Sequence, residues 1–453
     1  MHKLCSIKDI VPGSVVELPK QYQSKPDEAA VILGMEYDTS KKNIFAEMLR
    51  SDYTKVAPEA MNEDTELALV DDPVLQKLAI RGFINQKFAM SGFGMSMGCD
   101  PEIFVVHADD SVFPAWEFMP DEKTALAESK RQPLLDRWIN SDDVILCPTF
   151  VPSYWDGAQA EFAPWGKGCL ETLHYGTREG LKTVLAMARA KDANAKLTLR
   201  NVVELPLSVL KSTKDEYIQF RCSQSLNIYN DPGDGIPDAR EYKYRCAGGH
   251  IHIGFTRAFT APGIEQIIRG LDGILGVIGT SLAAGIDNPE RRHTYGRAGE
   301  FRLPKHGVEY RVLSNHWLSH PAIAMLVFEI ARSTVRFAES GLFNLCWKAD
   351  EQETRDVING CDVSGARKIL MQNAAVLHGL LHRTWALRSG ITPRNAEDRD
   401  KMCSLAFKTI LGGMDVAIKD PMDIEKNWKI GDDTNWKLHC RGKNDSWQSL
   451  ACA

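Results

Sequence analysis

The chain is poor in the features that would settle its class at once. Its eleven cysteines are scattered and odd in number, and no two form a Cys-x-x-Cys pair. That argues against a zinc ribbon or a disulfide framework and fits reduced thiols in a cytosolic compartment. The most apolar run, around Ile267 to Ile286, is interrupted by Arg269 and Asp272 and is too broken for a membrane span. The N-terminal MHKLCSIKDIVPG has no apolar h-region, so no secretion signal is expected. Positive charge is not in excess either. A formal net charge of −6 gives no electrostatic case for nucleic-acid binding. Internal repeats and low-complexity tracts are missing, and GxxxxGK[ST] is absent, which excludes a P-loop as the route to a nucleotide. What remains is an ordinary globular composition, 44% hydrophobic and 25% charged over 453 residues, with room for about two or three domains.

Taken in order, residues 1 to about 60 hold PGSVVEL, AAVILGMEY and NIFAEML, short runs of strand character separated by turn residues. They predict a small barrel or sheet. Asp71 to Lys87 has helical spacing at Leu75, Leu78, Ile80 and Ile84, and the Gly- and Met-rich 91–98 reads as a loop. A helix is expected over Leu170 to Ala190, with Leu173, Leu181, Val184, Leu185 and Ala188 buried, and another over Ile264 to Ile286. Between them, Arg221 to Tyr244 is rich in Asn, Asp, Gly and Pro and reads as a long loop. From Pro321 onward the chain is mainly helical, with a polar helical pair expected between about 350 and 412. The domain boundaries that follow are 1–65 for a β-rich accessory unit, 66–92 for a linker helix and loop, 93–345 for the main domain, and 346–453 for a mostly helical region.

The chemistry concentrates in a few strand-like stretches. In AGGHIHIGF, His250 and His252 alternate with Ile251, Ile253 and Phe255, so both imidazoles share one face of a strand. Alone, the pair suits a buried structural role or a metal such as zinc equally. Three other strands repeat the pattern: Asp100/Glu102 in GCDPEIFVV, Gln159/Glu161 in DGAQAEFAP, and Glu309/Arg311 in GVEYRVL. A solvated face of an antiparallel sheet would also alternate in this way. Such a face, however, mixes Lys, Thr, Ser and Glu along its length, whereas here each strand carries one short acid, His or Arg cluster inside an apolar run. Acids and histidines converging on one face would repel unless cations sat among them. Oxygen-rich clusters suit Mg²⁺ or Mn²⁺, and an imidazole is better tolerated by manganese. The segment 291–318 adds Arg291, Arg292, Arg297, Arg302 and Arg311, whose forked guanidinium groups match phosphate oxygens. Arg291 and Arg292 read equally well as a solvated helix end. Cys99 has no accompanying His/Asn arrangement and reads as structural, and Trp155 reads as a core residue.

The order GxDPE, DGxQxE, GGHIHIG, RxxxYGxAGEFR and GVEYRVLSN, spread over about 90 to 320, resembles the phage-type carboxylate–amine ligases, or amidoligases. These are similar to glutamine synthetase and glutamate–cysteine ligase. The resemblance implies an α+β fold: a glutamine synthetase-like catalytic domain with a curved, mainly antiparallel sheet backed by helices, plus the small N-terminal β domain. It implies metal ligation by Glu102, Glu161, His250 and Glu309, with Asp100 a companion where glutamine synthetase itself has a second glutamate. It places His252 near nucleotide phosphates, Arg311 on the transferring phosphate, and Arg297 and Arg302 as further phosphate or acyl-phosphate contacts. The implied cofactors are ATP and Mg²⁺ or Mn²⁺. The implied partners are small-molecule or peptide carboxylates and amines, with a homo-oligomer allowed and neither nucleic acid nor membrane required. If the protein is phage-encoded, its compartment is the host cytoplasm or the virion. A guanidino-kinase-like phosphotransferase and a non-catalytic assembly protein retaining the fold are the two alternatives.

Overall fold

The computed structural model describes the chain apart from residues 1–2, 11–13, 24–25, 27, 39–40, 51–54, 57–59, 71–94, 130–135, 141–142, 148–150, 165–169, 221–224, 232, 234, 256–258, 387–395 and 432–453. The helix expected over Asp71 to Lys87 lies outside the described residues. Seven short strands between Lys3 and Leu69 form one antiparallel sheet with a core of its own, built on Ile7, Val16, Leu18, Ile32, Ile44, Met48 and Leu67. Its last strand, Glu66–Leu69, pairs with Lys3–Ser6, so the sheet runs past the boundary expected at residue 65.

The central sheet is built from seven strands in line: β1 (Met95–Val106), β2 (Ser153–Asp156), β3 (Gln159–Phe162), β4 (Leu226–Asn227), β5 (Gly249–Phe255), β6 (Glu300–Arg302) and β7 (Gly307–Tyr310), in the spatial order β2-β3-β1-β5-β7-β6-β4. Two shorter strands, Val112–Phe113 and Lys196–Thr198, pair with the far half of β1. All these pairings are antiparallel. Strand β1 begins at Met95, so residues 95–98, expected as loop, are strand: Ser96, Met97 and Gly98 register against Gly254, Ile253 and His252.

Alternation sorts the two faces. Met97, Cys99, Ile103, Val105, Ile251, Ile253, Val308 and Tyr310 turn inward and share one buried cluster with the helices. Helix α1 (Leu170–Arg189) buries the expected stripe, from Leu173 to Ala188. Helix α2 starts as Ala261–Gly270, passes through a π-helical turn, Leu271–Gly276, and finishes as Val277–Leu282. Its start is capped by Thr260, whose hydroxyl accepts from the Gly263 N–H. Helix α3 (Pro321–Glu339) is buried along most of its length. Beyond it the polar stretch is four helices rather than a pair: Glu351–Asn359, Val363–Gln372, Ala374–Ala386 and Ala396–Gly412. One of the extra breaks falls at Gly360–Cys361, where Cys361 takes φ 51° and Asp362 caps the next helix. Leu377, Ile410 and Trp428 belong to the same cluster as the sheet, so no core boundary lies near 346. Among the described residues, no helix is long and apolar enough to cross a membrane.

A buried carboxyl ties this helical layer to the sheet. Asp272, fully buried in the π turn, accepts from the hydroxyls of Tyr310 at 2.8 Å and Tyr229 at 2.9 Å. A Cβ on Gly276 would lie 2.8 Å from the Tyr310 hydroxyl, so glycine there lets the tyrosine approach. Burial pushes the Asp272 pKa up to about 7 despite these donors. A carboxyl whose folded pKa is raised contributes stability that is full below about pH 4 and is lost as pH rises through about 7. Asp272→Asn should therefore stabilise the chain relative to wild type increasingly between about pH 5 and pH 8, by an amount on the order of 1–3 kcal/mol. Thermal melts of both proteins across that range check this, and a pH-independent difference would contradict it.

Candidate active site

The face of the sheet opposite the helices carries the polar residues. Register brings them into rows: Glu161 stands opposite Glu102, Asp100 opposite His250, His252 opposite Glu309, and Glu309 opposite Arg302. Directly opposed residues point the same way, so these side chains share one surface.

They gather into two groups. In the first, Asp100, His250 and Glu309 each offer a ligand atom within 4.8 Å of the others. His250 Nδ1 lies 3.5 Å from Asp100 Oδ1 and 3.7 Å from Glu309 Oε1. Arg311 Nε approaches Glu309 Oε1 to 3.1 Å, and Arg302 Nη1 to 3.5 Å. Arg311 is almost fully buried, and its Nη1 donates to Ser225 Oγ at 2.6 Å. His252 Nε2 sits 2.9 Å from Asp100 Oδ1, while its Nδ1 lies 3.0 Å from Nε2 of His306. In the second group, Glu102, Asp156 and Glu161 meet the same 4.8 Å criterion. The Asp156–Gly157–Ala158–Gln159 hairpin makes this possible. Gly157 takes φ 68° at the first of two turn positions, which returns Gln159 opposite Asp156. Glu102 Oε2 accepts from the Gly248 N–H at 2.5 Å and from the Tyr295 hydroxyl. Glu161 Oε1 accepts from the Tyr154 hydroxyl at 2.7 Å.

The electrostatics differ between the groups. Burial opposes ionisation of Asp100, but His252 and His250 outweigh it and hold the carboxyl well below the usual range. Asp100 in turn raises His252 against the effect of burial. Glu161 is pushed well above the carboxylate range by burial and then by the charges of Asp100, Asp156 and Glu102, with only the Tyr154 hydroxyl opposing. A cation among these carboxylates would relieve the repulsion that Glu161 meets. The donors fit that role. Three carboxylates suit a hard divalent ion such as Mg²⁺, and the group containing His250 suits Mn²⁺ as well. Asp100 Oδ1 and Glu309 Oε1 are held in ion pairs with His252 and Arg311, while His250 Nε2 is buried without a hydrogen-bond partner among the described residues. A Cβ on Gly248 would lie 2.5 Å from His250 Nε2, so glycine there leaves the ring its place.

Of the residues expected from sequence, Asp100, Glu102, Glu161, His250, His252, Arg302, Glu309 and Arg311 converge. Arg297 does not join them: its guanidinium lies 3.8 Å from Asp231 and beside Gly233, on the long loop. Arg291 and Arg292 are not a solvated helix end. Both are buried, with Arg291 donating to Val312 O, and Arg292 donating to Val312 O at 2.9 Å, to Gly296 O, and to Asp287 Oδ2 at 3.0 Å. They clamp the turn that presents Tyr295. Cys99 is buried against Thr177, and burial raises its thiol pKa, as befits a structural residue. Asp156, Tyr295, Tyr154, Ser225 and His306 were missed. Asp156 and Tyr295 stand inside the recurring motifs, but a turn former before glycine and an aromatic beside one carry no ligand signal of their own.

Residues 237–349 match the model of a family described as Phage phiEco32-like COOH.NH2 ligase-type 2. That span holds His250, His252, Tyr295, Arg302, Glu309 and Arg311, and it supports the amidoligase resemblance read from the motifs. No curated protein sequence matches the chain. Among solved structures, apo GmaS without ligand aligns at 12% identity and a TM-score of 0.35, covering 79% of this chain and 80% of the other. A GmaS/ADP complex aligns at 11% identity and 0.34, with the same coverage. At those scores neither assigns a role to any residue here.

Two ligand groups predict two ions per chain. Calorimetric titration of Mn²⁺ should give a stoichiometry near two, falling to one in both Glu161→Gln and Glu309→Gln. Burial and the neighbouring acids push the Glu161 carboxyl well above the usual carboxylate range, and its proton must leave before a cation binds, so affinity at the site lost in Glu161→Gln should rise with pH. A single pH-independent site would contradict the assignment.

Proposed function

We propose that this face is the active site of an ATP-dependent carboxylate–amine ligase, similar in kind to glutamine synthetase. The observation that carries the reading is the pairing of two carboxylate-rich groups with Arg302 and Arg311 on one sheet face, inside and beside the segment that matches a COOH.NH2 ligase family. In this reading a substrate carboxylate attacks the γ-phosphorus of ATP, the bond to the β-phosphate oxygen breaks, and ADP leaves behind an acyl phosphate. An amine nitrogen then attacks the acyl carbon, phosphate departs, and the nitrogen loses a proton to give the amide. Mg²⁺ or Mn²⁺ held by Asp100/His250/Glu309 and by Glu102/Asp156/Glu161 would neutralise phosphate charge.

The chain's own side chains do the positioning. Arg311, held by Glu309 and Ser225, presents a guanidinium whose orientation is set before substrate arrives. Arg302 supplies a second, more exposed one. Both stabilise charge on the transferring phosphoryl group, and a preoriented donor does so without reorganising during the reaction. His252, whose pKa Asp100 raises against the effect of burial, stands at the same edge beside His306. Arg297, paired with Asp231, holds the loop that carries Ser225 and Tyr229 rather than the phosphate.

ADP release measured with Mg²⁺ or Mn²⁺ against a panel of carboxylates and amines, with mass analysis of products, tests the reading. A product lighter than its two substrates by one water is expected. A phosphorylated product with no amide would replace this reading with phosphotransfer. Glu309→Gln and Arg311→Lys should each lower turnover by about 100-fold or more with the near-ultraviolet circular dichroism unchanged. Full activity in both would refute the site.

A further inference from the structure

Tyr295 lies in the segment between α2 and β6, and its side chain meets residues carried by three neighbouring strands, β1, β5 and β7. Its hydroxyl donates to Glu102 Oε2 on β1, the oxygen that also accepts from the Gly248 N–H at 2.5 Å. Its ring packs against the His250 imidazole on β5 in an edge-to-face pair, with centroids 5.6 Å apart and planes 72° to each other. The guanidinium carbon of Arg311, just past β7, stands 5.3 Å from the same ring's centroid. Glu102 belongs to one ligand group and His250 to the other, while Arg311 lies against Glu309. A single side chain therefore touches both groups and the arginine beside them.

The turn that presents this ring is itself fixed. The Tyr295 N–H donates to Arg291 O at 3.0 Å, the Thr294 hydroxyl donates to the same carbonyl at 2.9 Å, and the Gly296 N–H donates to Glu300 Oε2 at 2.7 Å. The Arg291 guanidinium carbon lies 5.2 Å from the Tyr295 centroid. At the end of β5, a Cβ on Gly248 would come 3.0 Å from Tyr295 Cε2, so glycine there gives the ring its room. Tyr295 is 5% exposed, and it acts on the site through its neighbours rather than on a ligand. The two parts of the side chain act differently. The hydroxyl is a hydrogen-bond donor to a carboxylate, whereas the ring restrains an imidazole by packing and a guanidinium by cation–π attraction.

We propose that Tyr295 is a positioning residue serving both ligand groups at once. Its hydroxyl fixes Glu102 as a ligand of the second group, and its ring fixes His250 in the first, with Arg311 beside it. A neighbour that orients a ligand raises affinity for the ion, because the ligand has less freedom to lose on binding. This inference rests on the ligase reading, in which the two groups hold Mg²⁺ or Mn²⁺. Since the hydroxyl serves one group and the ring the other, substitution can separate them.

Calorimetric titration of the full chain with Mn²⁺ tests this in two backgrounds. Glu309→Gln keeps the group containing Glu102, and Glu161→Gln keeps the group containing His250. Tyr295→Phe retains the ring and removes the donor. It should weaken Mn²⁺ binding about 10-fold in the Glu309→Gln background and leave it unchanged in the Glu161→Gln background. Tyr295→Leu removes ring and donor together and should weaken binding about 10-fold in both backgrounds. Equal loss in both backgrounds with Tyr295→Phe is what a purely structural role would give, and it overturns the proposal, as does no loss in either. Undiminished binding by Tyr295→Leu in the Glu161→Gln background also overturns it. If Tyr295→Leu fails to fold, the split seen with Tyr295→Phe decides. Wild-type protein that binds Mn²⁺ at both groups, with no such split in the variants, removes this inference alone. Wild-type protein that binds no Mn²⁺ removes the ligand groups, and the ligase reading falls together with this inference.

Discussion

Repulsion among like charges is the constraint that the rest of this structure answers. Asp100, Glu102, Asp156, Glu161 and Glu309 all come to one side of a single sheet, where burial makes their mutual repulsion stronger than it would be in water. The fold answers part of it locally. His250 and His252 flank Asp100, Arg311 lies against Glu309, and hydroxyls from Tyr154 and Tyr295 reach Glu161 and Glu102. The compensation is uneven. Asp100 is held ionised, whereas Glu161 is driven toward its neutral form by burial and then by the acids around it. A face left in that state is suited to cations and to anions carried by them, which is the chemistry of phosphoryl transfer.

Keeping such groups together requires a stiff support, and the other side of the sheet supplies one. Ile251, Ile253, Val308 and Tyr310 pack into the helical layer, and Asp272 ties Tyr310 and Tyr229 to the π turn of α2. Buried arginines serve the same end. Arg291 and Arg292 hold the Val312 carbonyl, and Tyr295 lies about 5 Å from the guanidinium carbons of both Arg291 and Arg311. Arg178 donates to the carbonyls of Trp428 and Lys429, joining α1 to the C-terminal end of the described core. Most of the charged residues in this protein's interior are therefore structural.

Much of the site was legible because a strand has a period of two. His250 and His252 had to share a face, as did Asp100 with Glu102 and Glu309 with Arg311, once each lay in an extended run. The motifs then linked the strands before their order in space was known. Legibility failed where function depends on a turn or on distance along the chain. Asp156 reads as a turn former, and only the hairpin at Gly157 carries it back beside Glu161. Arg297 stands five residues from Arg302 in a motif full of arginines, yet the turn between them sends it to Asp231. The C-terminal helices were under-counted because Gly360–Cys361 breaks a continuous polar pattern without any proline to mark it.

The sequence by itself determined the alternating strands, the buried stripe of α1, the absence of a P-loop, and the acid, histidine and arginine pairs that share one face of the sheet. These are local properties, set by neighbours two to four positions apart. Tertiary structure alone decided that the acids divide into two groups, that Arg291 and Arg292 are buried clamps, and that Arg297 turns away to Asp231. Those outcomes depend on which strand lies next to which, and on which carbonyls reach a guanidinium first. Charge and hydrogen bonding act across space at a few ångströms, and the chain separates such partners by dozens of residues.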